Sequence, residues 1–278
     1  MNHGRVVWPS ALGEFKLFRY LFMMIDRSRL RPVILENPYD SWSDPVLREI
    51  LPKIIELKLE GYKHEYPYGV LPVDTTDFIG VHHVICEDRG GILVPLLAYK
   101  SISLERCQTH RLPFPLLSLT QLPKVTCHGK AVAALIQCCE STGKPLSYYG
   151  SWTIHPEVRK DEVTSAFLRE MMAGLHPLSY LESGGNEEIL TLAVLRFKVD
   201  RMFKFWGYQR AKWQGEELPN FQLPSFFGEA VTMYHFSGNF PETALMAAKK
   251  FKHYWDQRLV IGSSREKSLK DNHKKRAA

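Results

Sequence analysis

Long apolar runs are missing from this sequence. The nearest to one, Phe15 to Ile25, carries Lys16 and Arg19 and falls short of the roughly 18–20 residues a bilayer span needs. It reads as a helix packed on the body or lying on a membrane surface, and no transmembrane segment is expected. Cysteine is sparse and unpatterned. Cys86, Cys107, Cys127, Cys138 and Cys139 include no CxxC pair and no metal-ligand spacing, so neither a disulfide framework nor a metal site is expected. With no secretory signal ahead of them, reduced thiols and a cytoplasmic location are the expectation. One-sided charge is missing from the body as well. The net charge of +6 is concentrated in residues 262–278, where six Lys/Arg face two Asp/Glu. A basic groove with interleaved aromatics is absent, so no specific nucleic-acid partner is expected, and the tail serves solubility. No internal repeat and no clear linker divides the chain. The expectation is one domain over residues 1–260 with an N-terminal helical segment, then a disordered basic tail over 262–278.

What is present is a chain rich enough in apolar (45%) and aromatic (12%) residues to bury a core. Its central stretch is Leu146 to Glu170 (LSYYGSWTIHPEVRKDEVTSAFLRE). Leu146, Tyr148, Trp152 and Ile154 alternate with polar residues, the period of a strand with two unlike faces. Pro156 ends it near His155. Asp161 and Glu162 then open a helix with Val163, Phe167, Met171 and Leu175 as its apolar stripe. A strand running straight into a helix N-terminus aims free N–H groups at one spot, which suits an anion.

Other elements follow in the same way. Helices are expected from Glu14 to Asp26, from Ser43-Asp44-Pro45 to a stop at Gly61 with a kink or split at Pro52, and over Val125–Thr142. Asp77–Cys86 and Ile92–Ile102 form a hairpin. Arg27–Tyr39 reads as a basic connection and Arg106–Lys124 as an extended loop. Glu188–Leu195 is a buried strand, Lys198–Trp206 a helix stopped by Gly207, and 211–229 loop-like. Ala230–Phe236 is the last strand and Pro241–Leu259 the final helix. Period alone gives a mixed α/β sheet.

Trp152 to Arg159 (WTIHPEVR), with the amphipathic helix through Phe167 and Leu168, resembles the central strand and helix of the GNAT superfamily of N-acyltransferases, in which V-x-P-x-x-R precedes the loop R/Q-x-x-G-x-G/A. Phe203 to Tyr208 (FKFWGY) is similar to that family's helix exit, F-Y-x-x-x-G-F. The resemblance covers Leu146 to Arg210. It implies a mixed, mostly antiparallel central sheet flanked by helices on both faces, with splayed central parallel strands. It also implies transfer of an acyl group from a pantetheine thioester to an amine, an amino acid among the acceptors. The sequence departs from the pattern where Glu162 and Thr164 replace the loop glycines. Two acidic residues, Asp161 and Glu162, then stand where a diphosphate would sit. The acyl-homoserine lactone and N-acyl amino acid synthase branch, which takes acyl groups from acyl-carrier protein and lacks a glycine-rich loop, is the nearer likeness.

The resemblance implies a donor site at Trp152, Thr153, Ile154, Arg159, Lys160, Val163 and Thr164, and no permanently bound cofactor. Acyl-CoA or acyl-pantetheine on acyl-carrier protein is the co-substrate, and a small amine the other partner. Arg159 and Lys160 would meet a single phosphate or the carrier's acidic surface, unless they are simply solvated. Phe203 stands where many family members carry the tyrosine that protonates the leaving thiolate. The candidate bases are His82 and His83, on opposite faces of one strand, and His155 and Glu157 at the end of the central strand. A strand histidine is as readily structural, and Tyr148, Tyr149 and Trp152 line either an acyl tunnel or a core. The competing expectation is an inert GNAT-like module that binds a metabolite or a protein.

Overall fold

The computed structural model describes residues 25–67 and 69–262. The expected helix from Glu14 lies outside them except for Ile25 and Asp26, which lead into a 3-10 turn capped by Asp26. The expected tail lies outside beyond Gly262. Strand β1 (Leu30–Glu36) follows, where a connection was expected. The basic residues and Pro32 masked it, yet Val33, Ile34 and Leu35 are buried between two neighbours. Pro32 precedes the second pairing, which begins at Val33, and so lies where one neighbouring strand flanks it.

Helix α1 (Pro45–Glu65) starts as its residues dictate. The Asp44 carboxylate accepts from the N–H groups of Val46 and Leu47, and Pro45 occupies the first position. It runs through Pro52 without splitting and through Gly61 without stopping. Gly61 is there for packing. A Cβ at this position would lie 2.5 Å from the Thr153 methyl, so only glycine lets the helix sit this close to the central strand. Asp77–Ile79, expected to open a strand, belongs instead to helix α2 (Thr76–Ile79), and strands β2 (Val81–Arg89) and β3 (Ile92–Ser103) then form the hairpin, with Gly90 and Gly91 both at positive φ.

The stretch expected to be an extended loop holds two short helices, α3 (Leu104–Thr109) and α4 (Pro115–Leu119). The side chain of Ser103 caps the first, and Pro115 opens the second. Helix α5 (Thr126–Thr142) ends at Gly143 in the left-handed conformation. Strand β4 (Leu146–Ile154) passes into a short helix, α6 (Pro156–Lys160), and then α7 (Glu162–Glu182). Met171 and Leu175 are buried as expected, but Val163 is 68% exposed. It sits in the Asp161-capped first turn, and the buried face is made instead by Leu168, Met171, Met172 and Leu175.

Strand β5 (Glu188–Val194) and helix α8 (Val199–Phe205) match expectation. After the short strand β6 (Gln209–Arg210), the region expected to be loop carries three more, β7 (Lys212–Trp213), β8 (Glu216–Glu217) and β9 (Phe221–Leu223). Strand β10 (Glu229–Phe236) and helix α9 (Glu242–Asp256) follow, and β11 (Leu259–Ile261) is a further strand beyond the one expected to be last.

The main sheet has the order β11-β1-β2-β3-β4-β5-β10-β6, with β9 also on β10. Only β1–β11 and β4–β5 are parallel. Alternation splits the core in two. Val33, Leu35, Val84, Cys86 and Ala98 pack under α1, while Ile34, Ile85, Leu97 and Tyr99 pack with the buried residues of α7 and α9. Helices therefore cover both faces of a mostly antiparallel sheet, and its central parallel pair parts company. Among the described residues, no helix is long and apolar enough to cross a membrane.

Candidate active site

Strands β4 and β5 pair only from Leu146–Glu188 to Tyr149–Thr191, although β4 continues to Ile154 and β5 to Val194. The cause lies on the other side of β4. Between the pairs Lys100–Gly150 and Ala98–Thr153, β3 advances past one residue, Tyr99, and β4 past two, Ser151 and Trp152. The extra residue is a bulge with Ser151 at φ 59°, and a bulge bends its strand. At the last pair the Thr191 hydroxyl donates to the Tyr149 carbonyl at 2.7 Å. Beyond it a slot opens.

The slot leads into a cavity of about 760 Å³ lined by Gly150–Ile154 of β4 and by Leu192 and Val194 of β5. Most of the remaining wall is apolar, including Leu112, Leu119, Leu223, Phe226 and Met202. A cavity with strand backbone along one wall and apolar residues over most of the rest suits an extended chain carrying amide groups and an apolar end.

Charge sits at the two ends of the slot. At the vertex, beside Gly150, Lys100 lies 3.2 Å from the Asp77 carboxylate and 3.1 Å from Asp74. Lys58 of α1 pairs with the other Asp77 oxygen, and the Asp74 backbone N–H donates to Asp77 at 2.9 Å. Lys58 and Asp77 are almost wholly buried. Burial, followed by the nearby Lys100 charge, brings the Lys58 ammonium down to about 8. Burial pushes Asp77 up, but the two lysines outweigh it and hold the carboxyl below its usual range.

At the open end, Arg159 pairs with Glu65, which also lies 3.4 Å from Arg196, and Arg196 reaches Glu229 at 2.6 Å. Arg169 and Lys198 also line the cavity and make no ion pair among the described residues. The helix starts nearby are already satisfied. The His155 ring accepts from the Glu157 N–H, and the Asp161 carboxylate accepts from the N–H groups of Val163 and Thr164.

Of the residues expected at a donor site, Trp152, Thr153, Ile154 and Arg159 meet in the cavity wall. Lys160, Val163 and Thr164 are not among its lining residues. Lys160 pairs with Glu157, and the Thr164 hydroxyl bonds Asp161. Of the expected bases, none lines the cavity. His82 is buried with Nε2 2.7 Å from the Asp77 carbonyl, and burial takes it down to about 4. His83 points to the opposite face, stacks on Tyr99 with ring centroids 4.5 Å apart, and is brought by burial to about 3. His155 is lowered by burial and lies 3.5 Å from Glu60. Tyr148 is in the cavity wall, whereas Tyr149 stacks on Tyr99 in the core. Phe203 is core too.

Sequence reasoning missed Lys58, Lys100, Asp74 and Asp77. One signal was available: a lysine within the buried stripe of α1 and another inside the apolar run of β3 each demand a buried partner. Among the described residues, no group of three or more His, Cys, Asp or Glu could hold a metal ion.

The strand order with its parted β4–β5 pair makes the fold GNAT-like. Solved structures similar to this chain include FeeM, an N-acyl amino acid synthase from uncultured soil microbes, at 10% identity and TM-score 0.45 over 83% of this chain and 96% of that one. A Lactobacillus plantarum protein proposed to be an N-acetyltransferase matches at 11% identity and TM-score 0.40 over 76% and 99%. AtaTR bound with AcCoA matches at 13% identity and TM-score 0.31 over 82% and 99%. At these identities and scores they are likenesses of fold, not of site. No protein-family model and no curated protein matches the sequence.

Proposed function

We propose that this protein is an N-acyltransferase that moves an acyl group from a pantetheine thioester to an amine. The observation that carries the reading is the slot past Tyr149 and Thr191, which leaves the Gly150–Ile154 backbone along a largely apolar cavity. A pantetheine arm laid on β4 would pair its amides with that backbone, as an added strand does. Its phosphate end would lie toward Arg159, Arg169 and Lys198, and its thioester at the vertex near Gly150. The apolar wall takes the acyl chain.

Acyl-carrier protein is the preferred donor over acyl-CoA. Arg169 and Lys198, without an ion pair among the described residues, suit one phosphodiester, while the N–H groups of Glu157, Val163 and Thr164 already bond His155 and Asp161. Amino acids are among the acceptors to be tried.

The test is mass spectrometry after incubation with acyl-carrier-protein and acyl-CoA donors of graded chain length and a pool of amines. An acylated amine is expected, and Leu192→Trp, which fills the slot, should abolish it. No product from any pairing, or full activity in Leu192→Trp, would sink the reading in favour of an inert binding module.

A further inference from the structure

The vertex of the slot offers a carboxylate with one oxygen that accepts no hydrogen bond among the described residues. Two carboxylates line the cavity, Glu65 and Asp74. Glu65 is engaged by Arg159 and Arg196. Asp74 is held through one oxygen only, since Oδ1 accepts from the Thr76 N–H at 2.8 Å and from Lys100 Nζ at 3.1 Å. Its Oδ2 has no hydrogen bond among the described residues, and the side chain is 63% exposed. The backbone of Asp74 is fixed as well, by its N–H on the buried Asp77.

Tyr62 of α1 and Tyr148 of β4 both line the cavity. Burial raises both phenols above their usual range. For Asp74 itself, burial acts upward, but Lys100 and the Thr76 hydrogen bond outweigh it and keep the group below its usual range. Asp74 is thus ionised at neutral pH. A fixed carboxylate opening into a cavity whose wall also carries aromatic residues is a receptor for an organic cation.

We propose that Asp74, in the cavity wall it shares with Tyr62 and Tyr148, binds the ammonium group of the acceptor, so that the acceptor enters as a cationic primary amine. This rests on the acyl-transfer reading for its purpose, but not for its test. With a donor in the slot, the thioester would lie beside Gly150, next to the Lys100 that holds Asp74. Asp74 therefore delivers the nitrogen to the carbonyl carbon. It is an acceptor-recognition residue. The proton lost before attack goes to solvent, because an anion held this low is a weak base.

The experiment is calorimetric titration of the full chain at pH 7 with phenethylamine and with its uncharged analogue 2-phenylethanol, on wild type, Asp74→Asn and Asp74→Glu. Thermal melts show that each variant is folded. The amine should bind wild type at least tenfold tighter than the alcohol. Asp74→Asn should erase that difference through weaker amine binding alone, and Asp74→Glu should restore part of it. Equal binding of amine and alcohol by wild type, or unchanged amine binding by Asp74→Asn, overturns the proposal.

Acyl-transfer assays separate the two claims. Transfer with an unchanged amine KM in Asp74→Asn overturns the anchor and leaves the acyltransferase standing. Charge-dependent amine binding with no transfer from any donor does the reverse.

Discussion

The two ends of the slot each hold a chain of opposite charges, and they differ in what is left over. At the vertex, Lys58, Asp77, Lys100 and Asp74 balance two against two, with the inner pair sealed from water. At the open end, Glu65 and Glu229 face Arg159 and Arg196, while Arg169 and Lys198 remain as surplus positive charge. A balanced buried cluster fixes geometry at a cost in desolvation, and a surplus at an exposed rim attracts anions at long range. The vertex fixes the geometry around Asp74, and the open end attracts an anion at long range.

The sharpest way to break this contrast is Asp77→Ala. It would strand the Lys58 ammonium in the interior and leave Lys100 with Asp74 alone, and removal of one partner of a buried pair typically costs about 3–5 kcal/mol. Denaturant unfolding should show a loss of that size, whereas Glu229→Ala at the exposed end should cost well under half as much. Equal losses would mean that the two ends are energetically alike.

The next effect is acid lability. His82, His83 and His176 are all buried, and burial takes them to about 4, 3 and 3. Each binds its proton more readily unfolded, near 6.5, than folded. Their contribution is therefore complete above pH 6.5 and is lost as pH falls toward 3, at about 1.4 kcal/mol per pH unit for each histidine that remains neutral in the fold. His83→Phe, stacked on Tyr99, should remove one histidine's share of that slope, as measured by unfolding midpoints between pH 6.5 and 5. An unchanged slope would show that His83 is not titrating.

At the open end, Arg169→Ala with Lys198→Ala should raise the donor KM roughly tenfold, since a charged hydrogen bond contributes about 1.5 kcal/mol. The wild-type KM should rise with salt and that of the double variant should not. The smallest effect is expected for Arg159→Ala, within about threefold on donor KM, because that charge is already met by Glu65. A larger loss from Arg159 than from the surplus pair would reverse the assignment of the two roles.

The sequence carried the central strand and helix plainly, because Pro156 and the Asp161 cap punctuate them. It carried the stripe of α1 as well, but Gly61 misled. A glycine that permits close packing against Thr153 reads the same as one that ends a helix. Strand β1 was hidden by Arg29, Arg31 and Pro32, whose loop-like chemistry is tolerated toward the flank of the sheet.

The slot was expected only through a resemblance. Its local cause, Ser151 at positive φ after Gly150, was visible as a glycine inside a strand pattern, a common mark of a bulge. The vertex cluster could not be assembled from sequence at all. Lys58, Asp74 and Asp77, and Lys100 come from a helix, an irregular connection with its following turn, and a strand, and only the folded sheet brings them together.

The pairing of Val33 with Leu259 has a consequence for how the molecule is made. Strand β1 is among the first parts of the described chain to leave the ribosome, and its outer neighbour β11 is among the last. Until β11 is made, β1 lacks the strand that borders Val33–Leu35 in the finished sheet, and a bare strand border is a template for a strand of another chain. Docking of Leu259–Ile261 acts as a latch on that border.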